Sequence, residues 1–514
     1  MILKLKKKII FRILKSYKLF LKSDKKHNIH QIINEMMKKR IFIDKKNILD
    51  TYFFGELIDE SDLIIKQYFF QTFIHENKIF NKFLLYFSEF EKWSFFILPS
   101  FALKIIKNKI DINFLTSQLL FKLYEIYKIS KGIYFFIKVL IKSFIKIVFY
   151  KQKKNFHCSV YFADLVEKFL PSKKNGYDMV SSVLRNDNKK LDKVKVYSNC
   201  IKKSNINDVE YFDLFIIYDF KSLIKFFIKF VILLFVSFIS LINGKWYISI
   251  LFEEKLKKIL IENMQIDKLP NKIYFNLTSF MYRPIWTYFK YEKKFDTAMI
   301  IFSDPYYNEN TDDYFKLMSW PEYFVQSINT KKKLQNLLNY QFNSIICDYI
   351  GFNDTINEFN KKIDIIIFDD EPFREWHSVN LLRSEDHWYE KACLRYLNDL
   401  GDVFRGKNFN IAIKLKKKNL KKISKKYLNI FKKNNLNFLF IDPKFSAIEI
   451  IKKTSVVIAF PFSTTAHYGI KLSKNTIYYY PFKLKNKPWV DEGIKVIEEK
   501  HKLLEWVQKI EINK

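Results

Sequence analysis

At 514 residues the chain can hold two to four domains with full cores, and 49% hydrophobic against 28% charged residues excludes a disordered polypeptide. The 89 Lys and Arg against 54 Asp and Glu leave a formal charge of +35, which calls for a polyanionic neighbour: anionic lipid, phosphorylated substrate or nucleic acid. Lysine dominates over arginine and no nucleic-acid module shows its spacing, so nucleic acid is disfavoured as a partner.

Part of the Lys, Phe, Tyr, Ile and Asn excess reads as AT-rich codon usage. The four cysteines, Cys158, Cys200, Cys347 and Cys393, lie far apart without CxxC spacing. That argues against a disulfide framework or zinc site and fits a reducing cytoplasm. His27 and His30 form an HxxH with no second ligand pair, which reads as a surface helix.

In chain order, residues 1–150 read as a helical, basic, membrane-associating region. The N-terminal MILKLKKKIIFRILKSYKLFLK has no continuous apolar core and is not a signal peptide. As a helix it sets Ile2, Leu5, Ile9, Ile13 and Phe20 opposite its lysines, a pattern suited to an anionic headgroup layer. Ile133–Tyr150 repeats the idea, with Lys138, Lys142 and Lys146 stacked on one helix face.

Leu223–Ile242 is the most hydrophobic segment, but its uncharged run Phe230–Ile242 is shorter than the ~20 residues a span requires. Lys225 and Lys229 share a face, and Trp246-Tyr247 follow as interfacial aromatics. A helix lying in the interface or buried in a core is favoured over a crossing one.

Between these helices, NFHCSVYFADL, VKVYSN and VEYFDLFIIYDF look like strands. Further strands are predicted at Ile273–Thr278, Thr297–Phe302 and Ser344–Tyr349, with helical stretches between the last two. After residue 360 a regular rhythm sets in. Strands at Ile363–Phe368, Phe409–Lys414, Phe438–Ile441, Val456–Phe460 and Ile477–Tyr480 alternate with helices at Leu382–Leu400, Leu420–Lys433, Ala447–Lys453 and Thr465–Leu472. Continuous apolar strands alternating with helices mean a parallel sheet covered on both faces. The α/β chain therefore divides into the helical region, an α/β domain over 151–355 with the 223–242 helix inserted, and a Rossmann-like domain over 356–514.

Ligands of such sheets sit at the carboxyl ends of the strands. One corner is Pro461-Phe462-Ser463-Thr464-Thr465, where a buried strand stops and three hydroxyls open a helix, with His467 one turn in. Capping needs one hydroxyl; three in a row at a strand end suit a phosphate held by helix N–H groups and dipole. A second corner is Asp369-Asp370-Glu371-Pro372, with Arg374, Glu375 and His377 beyond. Asp369 or Glu371 suits a ribose hydroxyl, a metal or a base, or else simply an acidic first turn. Lys414, ending its strand, can reach a diphosphate, and Asp442-Pro443 reads as a turn. Only nine glycines are present and no GxGxxG, P-loop, GxSxG or HExxH appears, which disfavours dehydrogenases and NTPases.

Val457-Ile458-Ala459-Phe460-Pro461-Phe462-Ser463-Thr464 followed by Tyr478-Tyr479-Tyr480-Pro481 resembles a family of bacterial surface-polysaccharide biosynthesis proteins named for a Pro-Phe-Thr-Ser (PFTS) motif. Tyr282-Arg283-Pro284-Ile285-Trp286-Thr287, Asn343-Ser344-Ile345-Ile346 and Ile367-Phe368-Asp369 extend the likeness, which covers roughly residues 273–481. Here the hydroxyl order is Ser-Thr-Thr rather than Thr-Ser; both side chains cap and bind phosphate.

The resemblance implies a GT-B-like pair of Rossmann-like domains. It also implies a glycosyltransferase taking a nucleotide sugar, without a required metal or cofactor, to build capsule or O-antigen polysaccharide. Donor contacts fall to Lys414, Pro461, Phe462, Ser463, Thr464, Thr465 and His467. Arg283, Trp286 and Arg374 would contact acceptor or pyrophosphate, although packing explains Arg283 and Trp286 equally well. The lipid-linked or polysaccharide acceptor would meet the enzyme at the inner face of the cytoplasmic membrane. A polyol-phosphate transferase or sialyltransferase of the same fold, and a non-catalytic assembly scaffold, stay open as alternatives.

Overall fold

The computed structural model describes residues 46–70, 98–107, 114–149, 159–164, 179–187, 195–199, 209–276, 282–289, 294–301, 316–338, 340–347, 361–369, 390–415, 438–442, 445–460, 463–483 and 494–512, with single residues 43 and 429. The expected N-terminal amphipathic helix, the HxxH and, but for Asn429, the helix Leu420–Lys433 lie outside the described residues.

Among the described residues four α-helices precede the first sheet: α1 (Ile48–Phe54), α2 (Ser61–Phe70), α3 (Ser100–Lys107) and α4 (Phe114–Phe149). Strands β1 (Ser159–Phe162), β2 (Lys195–Ser198), β3 (Val209–Tyr211), β4 (Lys272–Asn276), β5 (Asp296–Ile301), β6 (Glu322–Val325) and β7 (Asn343–Ile346) then pair in the order β3-β2-β1-β4-β5-β6-β7. Between them run α5 (Met179–Asn186), α6 (Phe220–Ile242), α7 (Trp246–Ile250), α8 (Phe252–Asn263) and α9 (Ile328–Leu337). The second sheet holds β8 (Ile363–Asp369), β9 (Ile411–Leu415), β10 (Leu439–Ile441), β11 (Thr454–Ala459), β12 (Asn475–Tyr480) and β13 (Lys495–Glu498). Its order is β10-β9-β8-β11-β12-β13, with helices α10 (Glu390–Phe404), α11 (Ala447–Lys452), α12 (Thr464–Lys471) and α13 (Lys500–Ile512).

All the strand pairings are parallel. Alternation of side chains along each strand supplies two cores per sheet. In β8, Ile365 and Ile367 enter one cluster with α10 and α13, while Ile366 and Phe368 enter another with α11 and α12. Burial on both faces is what makes these strands continuous apolar runs rather than alternating ones.

Helices α1–α4 share a single cluster with α6–α8 and one face of the first sheet, so the helical region packs as part of that domain's core. Gly132 of α4 crosses Phe252 so closely that a Cβ there would overlap the ring. Four expectations change. A strand, β6, stands in the stretch read as helical between β5 and β7, and β13 with α13 follows Ile477–Tyr480, where the strand series was expected to close, inside the expected 356–514 domain. Trp246 and Tyr247 are buried instead of interfacial, and Tyr247 donates a hydrogen bond to Asp50. Lys142 is tied to Asp213 at 2.5 Å rather than standing with Lys138 as a free headgroup contact.

In α8, Lys255 is only 8% exposed, and its ammonium lies 5.8 Å from the centre of the Phe53 ring. Burial pulls it down to about 8. Below that value both folded and unfolded chains are protonated, so the burial penalty is fully present. Between about pH 8 and 10.4 the unfolded chain binds more protons, and this group makes stability rise with pH. Lys255→Met is expected to stabilise the fold at pH 7 by a few kcal/mol, at ~1.4 kcal/mol per pKa unit, and by much less near pH 10. Urea unfolding of both proteins at the two pH values checks this; an equal difference at both refutes it.

Candidate active site at the carboxyl edges of the two sheets

In each sheet the strand order reverses between the first and fourth strands, which opens a crevice at their carboxyl ends. In the second sheet the crevice lies between β8 and β11. Ala459 stands in register with Phe368, and the Phe460 N–H donates to the Phe368 carbonyl at 3.1 Å, continuing the ladder past the strand. Asp369 thereby ends one wall of the crevice, and Ser463 follows the other. On the outer side of β8, Lys414 is in register with Phe368 and with Ile441 of β10. The fold thus brings Asp369, Lys414 and the Ser463 corner to one edge on three neighbouring strands.

Ser463 is the N-cap of α12, with φ −84° and ψ 136°. Its Oγ accepts from the Thr465 N–H at 3.3 Å and touches the Thr465 hydroxyl, while its carbonyl accepts from the Tyr478 hydroxyl at 2.9 Å. Thr464 is the first helical residue, so the helix dipole starts at the predicted phosphate corner. The opposite flank of α12 is fixed to the sheet: Ala466 and Tyr468 are buried, and a Cβ on Gly469 would overlap the Thr476 hydroxyl. His467 is half-buried, its ring 6.4 Å from that of Tyr478. Glu371, Arg374, Pro461 and Phe462 lie outside the described residues.

The first sheet meets α12 through Gln326, the residue after β6. Its amide donates to the Tyr468 hydroxyl at 3.3 Å, and Lys471 donates to its carbonyl at 3.1 Å. At this sheet's own crevice, between β1 and β4, stands a polar group that the sequence reading passed over. Asp164 has φ 47°, a left-handed conformation that Asp tolerates better than most residues. Its N–H donates to Asn199 Oδ1 at 2.8 Å, its carboxylate accepts from the Asn199 amide, and Asn276 Nδ2 donates to the Ala163 carbonyl at 3.3 Å. Burial, and then the carboxylates of Asp213 and Asp164, raise the neighbouring Tyr161 phenol well above its usual value. The rule that selected Asp369, an acid just past an apolar strand, selects Asp164 after SVYF equally well.

Arg283 and Trp286 do not join this edge. Trp286 is 4% exposed, with its ring packed against Phe215, Phe275 and Phe295 at centroid distances of 5.3, 5.7 and 6.1 Å. It is a core side chain without a free face for a sugar. Arg283 stacks 4.3 Å from the Tyr288 ring centre and donates to the Thr287 carbonyl at 2.6 Å. Tyr288 touches Ser319, and Tyr323 bonds Tyr340; Ser319 and Tyr340 precede β6 and β7, which puts this cluster at the amino ends of the strands. Burial lowers the guanidinium, with the three tyrosines opposing that shift. Among the described residues no group of three or more His, Cys, Asp or Glu is arranged to hold a metal.

Two doubly wound parallel sheets, each with a polar carboxyl edge at its reversal point, define an α/β protein with two Rossmann-like domains. The chain belongs to the polysaccharide biosynthesis PFTS motif protein family, whose model matches residues 223–507.

No curated protein matches the sequence. Among solved structures, TarM is similar at 10% identity and TM-score 0.31, over 51% of this chain and 52% of its own; the chain thus spans about half of TarM. The Methanocaldococcus jannaschii UDP-GlcNAc 2-epimerase in complex with UDP-GlcNAc and UDP is similar at 10% identity and TM-score 0.34, over 69% and 92%. The E. coli heptosyltransferase WaaC with ADP-2-deoxy-2-fluoro heptose is similar at 11% identity and TM-score 0.29, over 68% and 99%. These likenesses are loose in three dimensions, and the architecture rests on the strand orders themselves.

Because Gly469 seats α12 on β12, Gly469→Val should cost roughly 1–3 kcal/mol by overpacking. A thermal melt several degrees below wild type is expected, and an unchanged melt would show that α12 is not held by this contact.

Proposed function

We propose that the protein is a glycosyltransferase that takes a nucleoside-diphosphate sugar and extends a bacterial surface polysaccharide, capsule or O-antigen. The observation that carries this reading is the convergence of the α12 N-terminus, Lys414 and Asp369 at one reversal point. A helix start with hydroxyls binds a diphosphate, and a lysine beside it adds a point charge. Asp369, with Glu371 beyond it, suits nucleoside or sugar hydroxyls. The UDP and ADP-sugar ligands of the similar structures suggest the donor classes to try first.

The reaction needs little from the protein beyond positioning and charge. The acceptor hydroxyl attacks the anomeric carbon as the bond to the diphosphate oxygen breaks. The departing negative charge develops at the α12 N-terminus and near Lys414, where fixed dipoles stabilise it. This places no demand for a metal on the chain. Asp164, on the facing sheet, takes the acceptor proton, and Asn199 holds its carboxylate in place. The acceptor in this reading is a lipid-linked or polysaccharide chain at the inner face of the cytoplasmic membrane.

Replacing Ser463, Thr464 and Thr465 together by Ala should weaken binding of the matching UDP- or ADP-sugar at least ~10-fold, read as a lost ligand-induced thermal shift. Undiminished polysaccharide in cells carrying that variant would instead support a non-catalytic assembly role. Asp164→Asn should leave donor binding intact and slow transfer ~100-fold or more. Transfer at the wild-type rate would remove Asp164 from the mechanism.

A further inference from the structure

Helices α4 and α6 pack antiparallel. Phe144 meets Phe220, Phe136 stacks on Phe230 at 3.6 Å between ring centres, and Lys122 donates to the Leu241 carbonyl at 2.9 Å. Their inner faces are seated lengthwise on the first domain. Phe121 packs on Trp246, Gly132 on Phe252, and Ser143 Oγ accepts from the Ile217 N–H at 2.9 Å. Phe226, Phe230, Leu233 and Val236 of α6 enter the same core. Ser237 and Ser240 donate to carbonyls of their own helix, which leaves that seam with few unmet polar groups.

The outer faces are apolar too. On α4 Leu119, Leu123, Tyr134, Ile137, Ile141 and Phe144 are exposed at helical spacing. On α6 the exposed stripe is Ile224, Phe227, Ile228, Val231, Phe235 and Phe238, with Phe235 at 67%. With 36 residues α4 is ~54 Å long, so the pair presents a far larger apolar surface than a soluble monomer shows.

We infer that the α4–α6 pair is a docking surface for an anionic lipid bilayer, lying in the plane of the membrane with its outer stripe among the acyl chains. Two features select lipid over a second copy of the chain. The helices carry six lysines on α4 and three on α6 against a single acid, the buried Glu125; Lys122, Lys131 and Lys142 pair with Glu125, Glu253 and Asp213, while Lys138, Lys221 and Lys225 stand exposed. Two such faces repel each other, whereas phosphate headgroups attract them. The +35 charge of the whole chain acts in the same sense.

The lengthwise seating also settles the posture. Although α6 is long and apolar enough to cross a membrane, its inner seam is buried against protein, so only the outer stripe enters the bilayer, ~5–10 Å deep. At one end of the pair, Asp213, two residues past β3, binds Lys142, and Phe212 packs on Tyr161 and Tyr197. That end lies at the carboxyl edge holding Asp164. The docking stands apart from the transferase reading; only the delivery of a lipid-linked acceptor to this edge rests on it.

The test is flotation of the full chain with phosphatidylglycerol–phosphatidylethanolamine vesicles at low salt. Wild type should float, and a variant carrying Tyr134→Glu, Ile141→Glu, Ile228→Glu and Phe235→Glu should float at least ~10-fold less with an unchanged circular dichroism spectrum. Phe235→Cys bearing an environment-sensitive dye should shift to the blue on vesicle addition, whether or not the glutamate variant folds. Wild type that stays at the bottom, a glutamate variant that floats equally, or a dye that does not shift each overturns the proposal. A discrete wild-type dimer that the glutamate variant cannot form would name a second copy as the occupant. UDP- and ADP-sugar thermal shifts on the same samples separate the two readings, because donor binding fails independently of flotation.

Discussion

The pairing of β8 with β11 is the constraint on which the Ser463 corner depends. Because these neighbours in space are the first and fourth strands in sequence, the connections leaving them turn to opposite sides and open a crevice. The extra bond from the Phe460 N–H to the Phe368 carbonyl fixes how far each strand runs before it releases the chain. Asp369 and Ser463 are more than ninety residues apart in sequence, and this register makes them neighbours. The seating of α12 through Gly469 then aims the dipole, and Gln326 links that helix to the other sheet.

Much of this was legible in the sequence wherever one physical signal dominated. Strands such as IDIIIF and VVIAF are buried on both faces, so their apolar runs are continuous and bounded by Asp or Pro. The signal failed where an element is short or half-polar. EYFV of β6 is only four residues long and directly follows Pro321, and KVIE of β13 begins with an exposed lysine. Asp164 escaped because its neighbours in sequence, Ala163 and Leu165, carry no chemistry; its partners Asn199 and Asn276 arrive from other strands. For Arg283 and Trp286 the sequence left packing and ligand contact equally open, for the complementary reason. Their chemistry is suggestive in isolation, but the fold stacks Arg283 on Tyr288 and buries Trp286 among Phe215, Phe275 and Phe295.

The helical part shows the same division. Apolar composition identified Leu223–Ile242 as unusual, and the 3.6-residue period identified helix, but neither says which face meets protein. Lys142 illustrates the difficulty. Its spacing with Lys138 and Lys146 suggests a headgroup contact, while the fold spends it on Asp213, four elements away from α4 in the chain. Trp246 and Tyr247 follow a hydrophobic segment as interfacial aromatics do, yet Asp50 of α1 accepts from the Tyr247 phenol, and that bond belongs to a core.

Topology also explains where so apolar a helix can be accommodated. In the order β3-β2-β1-β4 the chain must return from the edge strand β3 to the centre, and this crossover carries α6, α7 and α8 over one face of the first sheet. That face already holds α1–α4, so α6 finds α4 as an antiparallel neighbour and buries its inner seam at no cost to the sheet. Among the described residues the outer stripe stays exposed, and the crossover begins at the carboxyl end of β3. Exposed apolar surface and reactive edge are therefore joined by the eight residues 212–219, and Asp213 pins that joint to α4. The exposed apolar stripe and the edge that holds Asp164 are kept at a fixed relation by the same segment.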